Sequence, residues 1–445
     1  MKLGDFHLLA VLTSCVTMGY CQSTTLSISN KDTIQLSIQE IWEQTDLGSK
    51  RSLIQAKELQ IRKENTDDAR ISRYPVFNAF GKVEKASNIP VYTNGIFNKP
   101  EQHDVIHTLY NTGVSMYLNL YSGNRQNLEI EERKTLEAKA NIEADMTKSE
   151  VRLEAIKSYL ALAKLTRFKK VITQDIAEHK EQLTEIEHLY KNGVVLKSDV
   201  LRATMEISKR EMTLVQLQND LSIENQKLLI LTGRKDTDFI KPQDSFNEEL
   251  FLESYDEALD IALEHGFKHL LSEESLVLSE IEQKKVKANT KPSIGLIGNF
   301  TMANPQIFLY PYNPSWYSLG TIGVQISFPI SNLYQNVHKV RSRALEHEKE
   351  ELQHQYVQDQ IKEEVQQAYL RYQESLVQIE VCTKNKEHAA ENARITKSTY
   401  FNKISLLTDL LDADVQHLQT QFELEAAKLD SIYKYYTLQF AKGLL

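Results

Sequence analysis

Residues 124–192 contain neither glycine nor proline, and the same holds for residues 194–232 and 330–442. The whole chain of 445 residues has only 15 Gly and 9 Pro. Runs that long without a helix breaker predict very long helices rather than a compact α/β domain. At about 1.5 Å per residue, residues 124–192 alone would reach roughly 100 Å. No single globular core requires a rod of that length.

The runs are amphipathic: Ile156, Tyr159, Leu160 and Ala163 recur at i, i+3, i+4 and i+7. Each long run is followed by a short turn and a returning run. Leu201, Met205 and Met212 of the first returning run match Leu411, Val415 and Phe422 of the second. We read these as coiled-coil-like seams of packed antiparallel helical hairpins.

The match is part of an internal duplication. Displaced by 210 residues, Gly113 falls on Gly323, Tyr159-Leu160 on Tyr369-Leu370, Tyr190 on Tyr400, Asn192 on Asn402, Asp199 on Asp409 and Gly233 on Gly443. Upstream the displacement becomes 217, pairing Glu40 with Glu257 and Pro75 with Pro292. The change lies between the paired prolines and glycines, so a surface loop is expected there. Each copy reads as a helix (about 38–70 and 254–288), two extended stretches, a long helix and a returning helix. The strands are expected at about 75–85, 112–122, 292–302 and 321–330. The helical hairpins are expected at about 124–231 and 334–441. Repeat 1 covers 22–233, a linker 234–250, and repeat 2 251–445.

The extended stretches alternate with period two. Val114, Met116 and Leu118 oppose Ser115, Tyr117 and Asn119; Val324, Ile326 and Phe328 oppose Gly323, Gln325 and Ser327. By pattern alone an ordinary half-buried sheet packed on the helices accounts for this equally well. Strands of about ten residues are also the length that crosses an outer membrane. The second loop is crowded with Phe308, Tyr310, Tyr312, Trp316 and Tyr317, residue types that gather at bilayer interfaces. Unpaired backbone cannot sit in lipid, so on that reading four strands per chain must close into a barrel by oligomerising. Val114, Met116, Leu118, Val324, Ile326 and Phe328 would then face lipid.

Export is expected from the N-terminus. Lys2 precedes a short apolar run, Leu8 to Met18, too short to span a bilayer. Cleavage after Cys21 would remove residues 1–21; alternatively "LTSC" resembles a lipobox with Cys15 as the lipidated residue. Of three cysteines, only Cys382 lies beyond this segment, so helix packing rather than disulfides must hold the fold. The net charge of −9 comes from interspersed acids and bases, without the basic face that nucleic acid requires. No HExxH, CxxC, phosphate loop or nucleophile-elbow motif occurs. We therefore expect no enzyme, no catalytic residues, no cofactor and no metal site.

"GVSMYLNLYSGNRQ" (Gly113 to Gln126), "GVQISFPISNLYQN" (Gly323 to Asn336) and the turn residues Tyr190, Gly193, Ser198, Asp199, Val200, Leu201 and Ala203 together resemble the outer-membrane efflux proteins, the TolC-like exit ducts. The second turn gives Tyr400, Thr408, Asp409, Leu410, Leu411 and Ala413, with Lys403 in place of the family's glycine. The resemblance covers almost the whole mature chain. It implies a mainly α fold with a small β part: two repeats of helix, β-hairpin and long helical hairpin. It also implies a homotrimer with a twelve-stranded β-barrel in outer-membrane lipid and an α-helical barrel crossing the periplasm of a Gram-negative bacterium. The turn ends would dock a periplasmic adaptor joined to an inner-membrane pump, making the protein a passive efflux or secretion duct. A periplasmic adaptor and a coiled-coil structural protein are the alternatives.

In the turns, Gly193 would permit a left-handed residue, Ser198 would cap the next helix and Asp199 would suit its dipole. The resemblance adds docking at Asn192, Gly193, Val194, Val195, Leu196, Ser198 and Asp199, and at Asn402, Lys403, Ile404, Ser405, Leu406, Thr408 and Asp409. Exposed apolar groups at the ends of helical hairpins point the same way. Some relatives carry an acidic ring at the tunnel mouth. Glu181 and Glu391 are the candidates for it, a solvated helix face being the plainer reading.

Overall fold

The computed structural model of the chain describes residues 33–243, 253–306 and 313–445. The expected signal segment with Cys15 and Cys21, residues 244–250 of the expected linker, and Phe308, Tyr310 and Tyr312 lie outside them.

In chain order the elements are β1 (Thr33–Leu36), α1 (Ile38–Gly48), α2 (Lys50–Ile71), β2 (Val76–Lys85), β3 (Ile89–Val91), β4 (Glu101–His103), β5 (Thr108–Tyr121), α3 (Arg125–Lys191), α4 (Lys197–Thr232) and β6 (Phe239–Pro242). Then follow α5 (Tyr255–His265), α6 (Phe267–Ala288), β7 (Ser293–Asn304), β8 (Tyr317–Ser327), the single turn α7 (Asn332–Gln335), α8 (Val337–Phe401) and α9 (Leu407–Ala441). The breaker-free runs hold long helices of 67 and 65 residues with returning helices of 36 and 35; residues 330–442 contain both α8 and α9, with a turn between them.

Where one helix was expected before each strand pair, there are two. The helix over 38–70 breaks at Ser49, and that over 254–288 breaks at Gly266, both with extended backbone. Packing explains the breaks. The C-terminus of α4 runs end-on into the first: a Cβ on Gly48 would lie 2.0 Å from the Thr232 carbonyl oxygen. The C-terminus of α9 meets the second: a Cβ on Gly443 would lie 2.3 Å from the His265 carbonyl oxygen. Both α1 and α5 start with a reciprocal cap, Ser37 with Glu40 and Ser254 with Glu257, satisfying backbone donors that the helix leaves unpaired.

The helices lie side by side. Toward the strands, α3 packs on α2 and α6, and α6 on α8; toward the turns, α3 packs on α4 and α9, and α9 on α8. With the end-on joins this makes four tracks: α4 with α2, then α3, then α9 with α6, then α8. The main core lies midway. There Ile41, Ile156, Tyr159, Leu228, Leu229, Ile240, Ile432 and Tyr436 pack together. The Tyr159 hydroxyl donates to Leu36 O at 2.6 Å and accepts from the Gln243 amide at 3.1 Å. The start of the expected linker forms a strand. Phe239–Pro242 pairs in parallel with Thr33–Leu36, and Asn225 fastens it to α4 by accepting from the Ile240 amide at 2.8 Å.

The four long strands form an antiparallel sheet of order β2-β5-β7-β8, open at both edges. Cross-strand partners share a face. Phe77 pairs with Met116, Met116 with Gly298 and Gly298 with Ile322; Leu118 pairs with Leu296 and Leu296 with Val324. This face is apolar. The other carries Asn78, Asn111, Ser115, Asn299, Thr321 and Gln325. No described helix is long and apolar enough to cross a membrane.

Candidate functional site

The chain ends its helical half in two turns, Asn192–Leu196 and Asn402–Leu406. Gly193 has φ +71 and Lys403 φ +66. The hydrogen bonds around them match. Gly193 and Val194 donate to Tyr190 O and Leu189 O, both at 2.9 Å; Lys403 and Ile404 donate to Tyr400 O at 2.8 Å and Thr399 O at 2.9 Å. This double closure satisfies the last helical carbonyls and demands a left-handed residue. Lys403 accepts that conformation despite its Cβ, so the second turn keeps the shape of the first.

Ser198 does not cap the returning helix. The helix starts one residue before it, at Lys197, and the flanking residue is Leu196. The cap comes from Asp199, whose carboxylate accepts from the Leu196 amide at 3.2 Å; Asp409 does the same for Leu406 at 3.1 Å. A carboxylate in the first turn meets both an orphan donor and the positive end of the helix dipole, which outweighs a serine hydroxyl there.

The two turns differ in what surrounds them. Val195 packs inward with Ile186, Ala203, Tyr400, Leu407 and Leu410, while Val194, Leu196, Ile404 and Leu406 stand exposed. Ser405 replaces the packed valine, and its hydroxyl lies 3.1 Å from that of Thr399. Thr408 is half-buried, and Asn192, Asn402 and Ser198 are exposed. Tyr400 is buried and Tyr190 is 42% exposed. The Tyr400 hydroxyl has no hydrogen-bond partner among the described residues, and burial, with the Asp199 charge behind it, pushes its pKa up. Glu181 and Glu391 are exposed on different helices. Glu391 is held in both oxygens by Arg394, at 2.8 Å each, which lowers its pKa.

In the sheet, Val114, Met116, Leu118, Val324 and Ile326 share the apolar face. Phe328 lies one residue past the end of β8 and is not a strand residue. Trp316 stands at the far end of the sheet, its ring centroid 5.8 Å from that of Tyr110.

The open edges are a feature of the structure that the expected two-helix seams do not contain. Leu201, Met205 and Met212 do not form the α3–α4 seam. All three are exposed, and the buried residues of α4 are instead Ala203, Ile207, Arg210, Leu217 and Leu221. The bare stripe continues through Val215, Ile223 and Ile230 and onto Leu47, Ile54 and Ile61 of the α1–α2 track. A second bare stripe runs down α8 through Leu345, Leu352, Tyr356, Leu370, Val377, Val381 and Ile395. One stripe lies on the edge that carries β2, the other on the edge that carries β8. The signal was in the sequence: apolar residues at steps of four and seven, more than a two-helix seam needs.

An antiparallel four-stranded sheet with one apolar face, standing on two helical hairpins whose long arms have 67 and 65 residues, is the fold of the TolC-like outer-membrane channels. Solved structures of that fold superpose on the chain at low identity. The outer-membrane channel OprN gives a TM-score of 0.77 at 17% identity, covering 91% of this chain and 89% of that one. CusC gives 0.78 at 14%, covering 91% and 92%, and VceC of Vibrio cholerae gives 0.74 at 14%, covering 91% and 96%. No protein-family model and no curated protein sequence matches the chain.

Proposed function

We propose that three copies of the chain close edge to edge into an outer-membrane exit duct: a twelve-stranded barrel in the lipid, continuous with a helical barrel in the periplasm. The observation that carries this is the pair of bare edges. A strand edge left unpaired in lipid costs several kcal/mol per orphan backbone group. Each Leu- or Ile-sized group left in water forgoes about 1.5–3 kcal/mol. The β8/α8 edge of one copy against the β2/α2/α4 edge of the next removes both costs at once.

The duplication supplies a template for that contact. Under the 210-residue displacement α3 corresponds to α8 and α9 to α4, so the α3–α9 seam within a chain stands for the α8–α4 seam between chains. Within the chain, Phe168 of α3 stacks on Phe422 of α9 at 4.3 Å, and Arg167 pairs with Glu425 at 2.9 Å. The counterpart of Phe422 is Met212, 57% exposed; the counterparts of Arg167 and Glu425 are Val377 and Val215, 58% and 49% exposed. An ion pair inside the chain is thus replaced by an apolar pair between chains.

On this reading the apolar strand face meets lipid, the polar face lines the lumen, and the turns lie at the periplasmic end. There Val194, Leu196, Ile404 and Leu406 would receive a periplasmic adaptor that links the duct to an inner-membrane pump, which supplies the energy. Glu181 and Glu391 would lie near the tunnel mouth. OprN and VceC are described as outer-membrane proteins, and CusC in terms of transmembrane channel formation, which supports the same placement here. Membrane fractionation tests it: the protein should pellet with outer membranes and leave them only in detergent. Release by salt or alkali alone would sink the reading.

A further inference from the structure

At the level of Asp175 the packing of α3 against α4 and α9 is ionic. Arg210 of α4, 4% exposed, sends Nε to Asp175 Oδ2 at 2.6 Å and a terminal nitrogen to Glu206 at 3.0 Å. His179 of α3, 8% exposed, places Nε2 3.5 Å from Asp175 Oδ1 and Nδ1 2.7 Å from Gln182 Oε1. Gln182 donates its amide to Asp414 Oδ2 of α9 at 3.4 Å, and that oxygen lies 3.9 Å from His179 Nδ1.

The hydrogen-bond inventory fixes what the ring must be. Because Gln182 turns its amide nitrogen to a carboxylate, its oxygen faces His179, and only an N–H at Nδ1 can bond there. Nε2 faces another acceptor, the Asp175 carboxylate. A neutral ring satisfies one of the two, and a protonated ring satisfies both. The charged groups around the ring are Asp175 from α3, Glu206 and Arg210 from α4, and Asp414 from α9, with His417 one turn further along α9. With the ring neutral, the Asp175, Asp414 and Glu206 carboxylates face the Arg210 guanidinium and Lys209, whose Nζ lies 2.6 Å from Glu206 Oε1 and so serves Glu206 rather than the two aspartates. Helix packing alone does not require this. The corresponding positions of the second half, Asn385, Ala389, Asn392, Gln416 and Thr420, carry no charge; they line a cleft of about 530 Å³ whose titratable residues, His388 and Glu423, stand at other positions.

We propose that His179 is a pH-dependent catch: its protonated ring ties the α3–α4 hairpin to α9 through Asp414, and loss of that proton frees α9 to move away from α3. Burial opposes the charged ring, but the Asp175 hydrogen bond and the Asp175 and Asp414 carboxylates outweigh burial and the Arg210 charge, so His179 titrates above its ordinary value. Burial likewise raises the Asp414 carboxyl. A raised histidine pKa means that the catch holds below the ordinary histidine value and is lost as pH rises through the folded one. At the acid end it is lost when Asp414 takes up a proton. That separation of α3 from α9 widens the tunnel near the turns rests on the duct reading; the catch itself does not.

Nitroxide labels at Thr204 of α4 and Gln416 of α9, both exposed, report the movement in the assembled full-length protein, with labelled chains diluted by unlabelled ones. Pulsed-dipolar distances between pH 5.5 and 9 should show one short distance in mild acid. A longer population should grow by up to tenfold per pH unit as a single proton is lost. H179Q should show the longer distance throughout, and H179K the short one up to pH 9. Wild-type distances that do not change with pH, or an H179Q profile that titrates like wild type, would overturn the proposal. Conductance in planar bilayers that rises with the longer population supports both the catch and the duct. Distances that titrate in a protein that never conducts would keep the catch and refute the duct.

Discussion

Lys403 pays in backbone strain for what Gly193 does freely. Its φ of +66 costs a residue with a Cβ on the order of 1 kcal/mol relative to glycine. We expect K403G to stabilise the second hairpin by about that amount, and G193K to destabilise the first by as much, read from denaturant midpoints. A buried hydroxyl separates two tyrosines. Tyr159 bonds Leu36 O and the Gln243 amide, so Y159F should cost about 1–3 kcal/mol. The Tyr400 hydroxyl has no partner among the described residues, so Y400F should be neutral or slightly stabilising. The left-handed turn at Gly193 was legible from one glycine in a breaker-free run. Its equivalent at Lys403 was legible only through the duplication, because lysine has no such preference of its own.

The helices were legible at the scale of elements because an absence is hard to misread: no breaker over some 65 residues leaves few alternatives. Their interruptions were less so. Nothing local forces the chain to break at Ser49; the end of α4, abutting Gly48, does. The parallel pairing of Thr33–Leu36 with Phe239–Pro242 joins short segments about 200 residues apart, and no periodicity announces it. The helix cap moved from Ser198 to Asp199 because a carboxylate two residues inside the helix reaches the Leu196 amide. D199A and D409A should each cost about 1 kcal/mol at the start of α4 or α9. Amide exchange over the first two turns should then run roughly five times faster. In the sheet, Ile322 lies on the apolar face and Thr321 on the polar one. I322K should cost about 2–4 kcal/mol if that face meets lipid, and T321K far less, measured as the fraction of protein assembled in the membrane. Phe328, beyond the end of β8, is a weaker probe than Ile322.

At the scale of the whole molecule, a single chain leaves its two edges unfinished: unpaired strands above, bare apolar helix faces below. The sequence displayed those apolar residues but did not say which side of the helix they occupied. That depends on how four tracks pack, which follows only from the tertiary structure. If the edges are each other's partners, Val377 of one copy meets Val215 of the next. The most direct measurement is a cross-link between these positions. The double variant V377C/V215C, in a C382S background, would be treated in membranes with a short bifunctional maleimide and resolved in denaturing detergent. A closed ring of three copies gives bands of one, two and three chains and none larger, with neither single variant cross-linking. An absence of cross-linking in the double variant, or a ladder that continues past three, would contradict a closed ring of three copies.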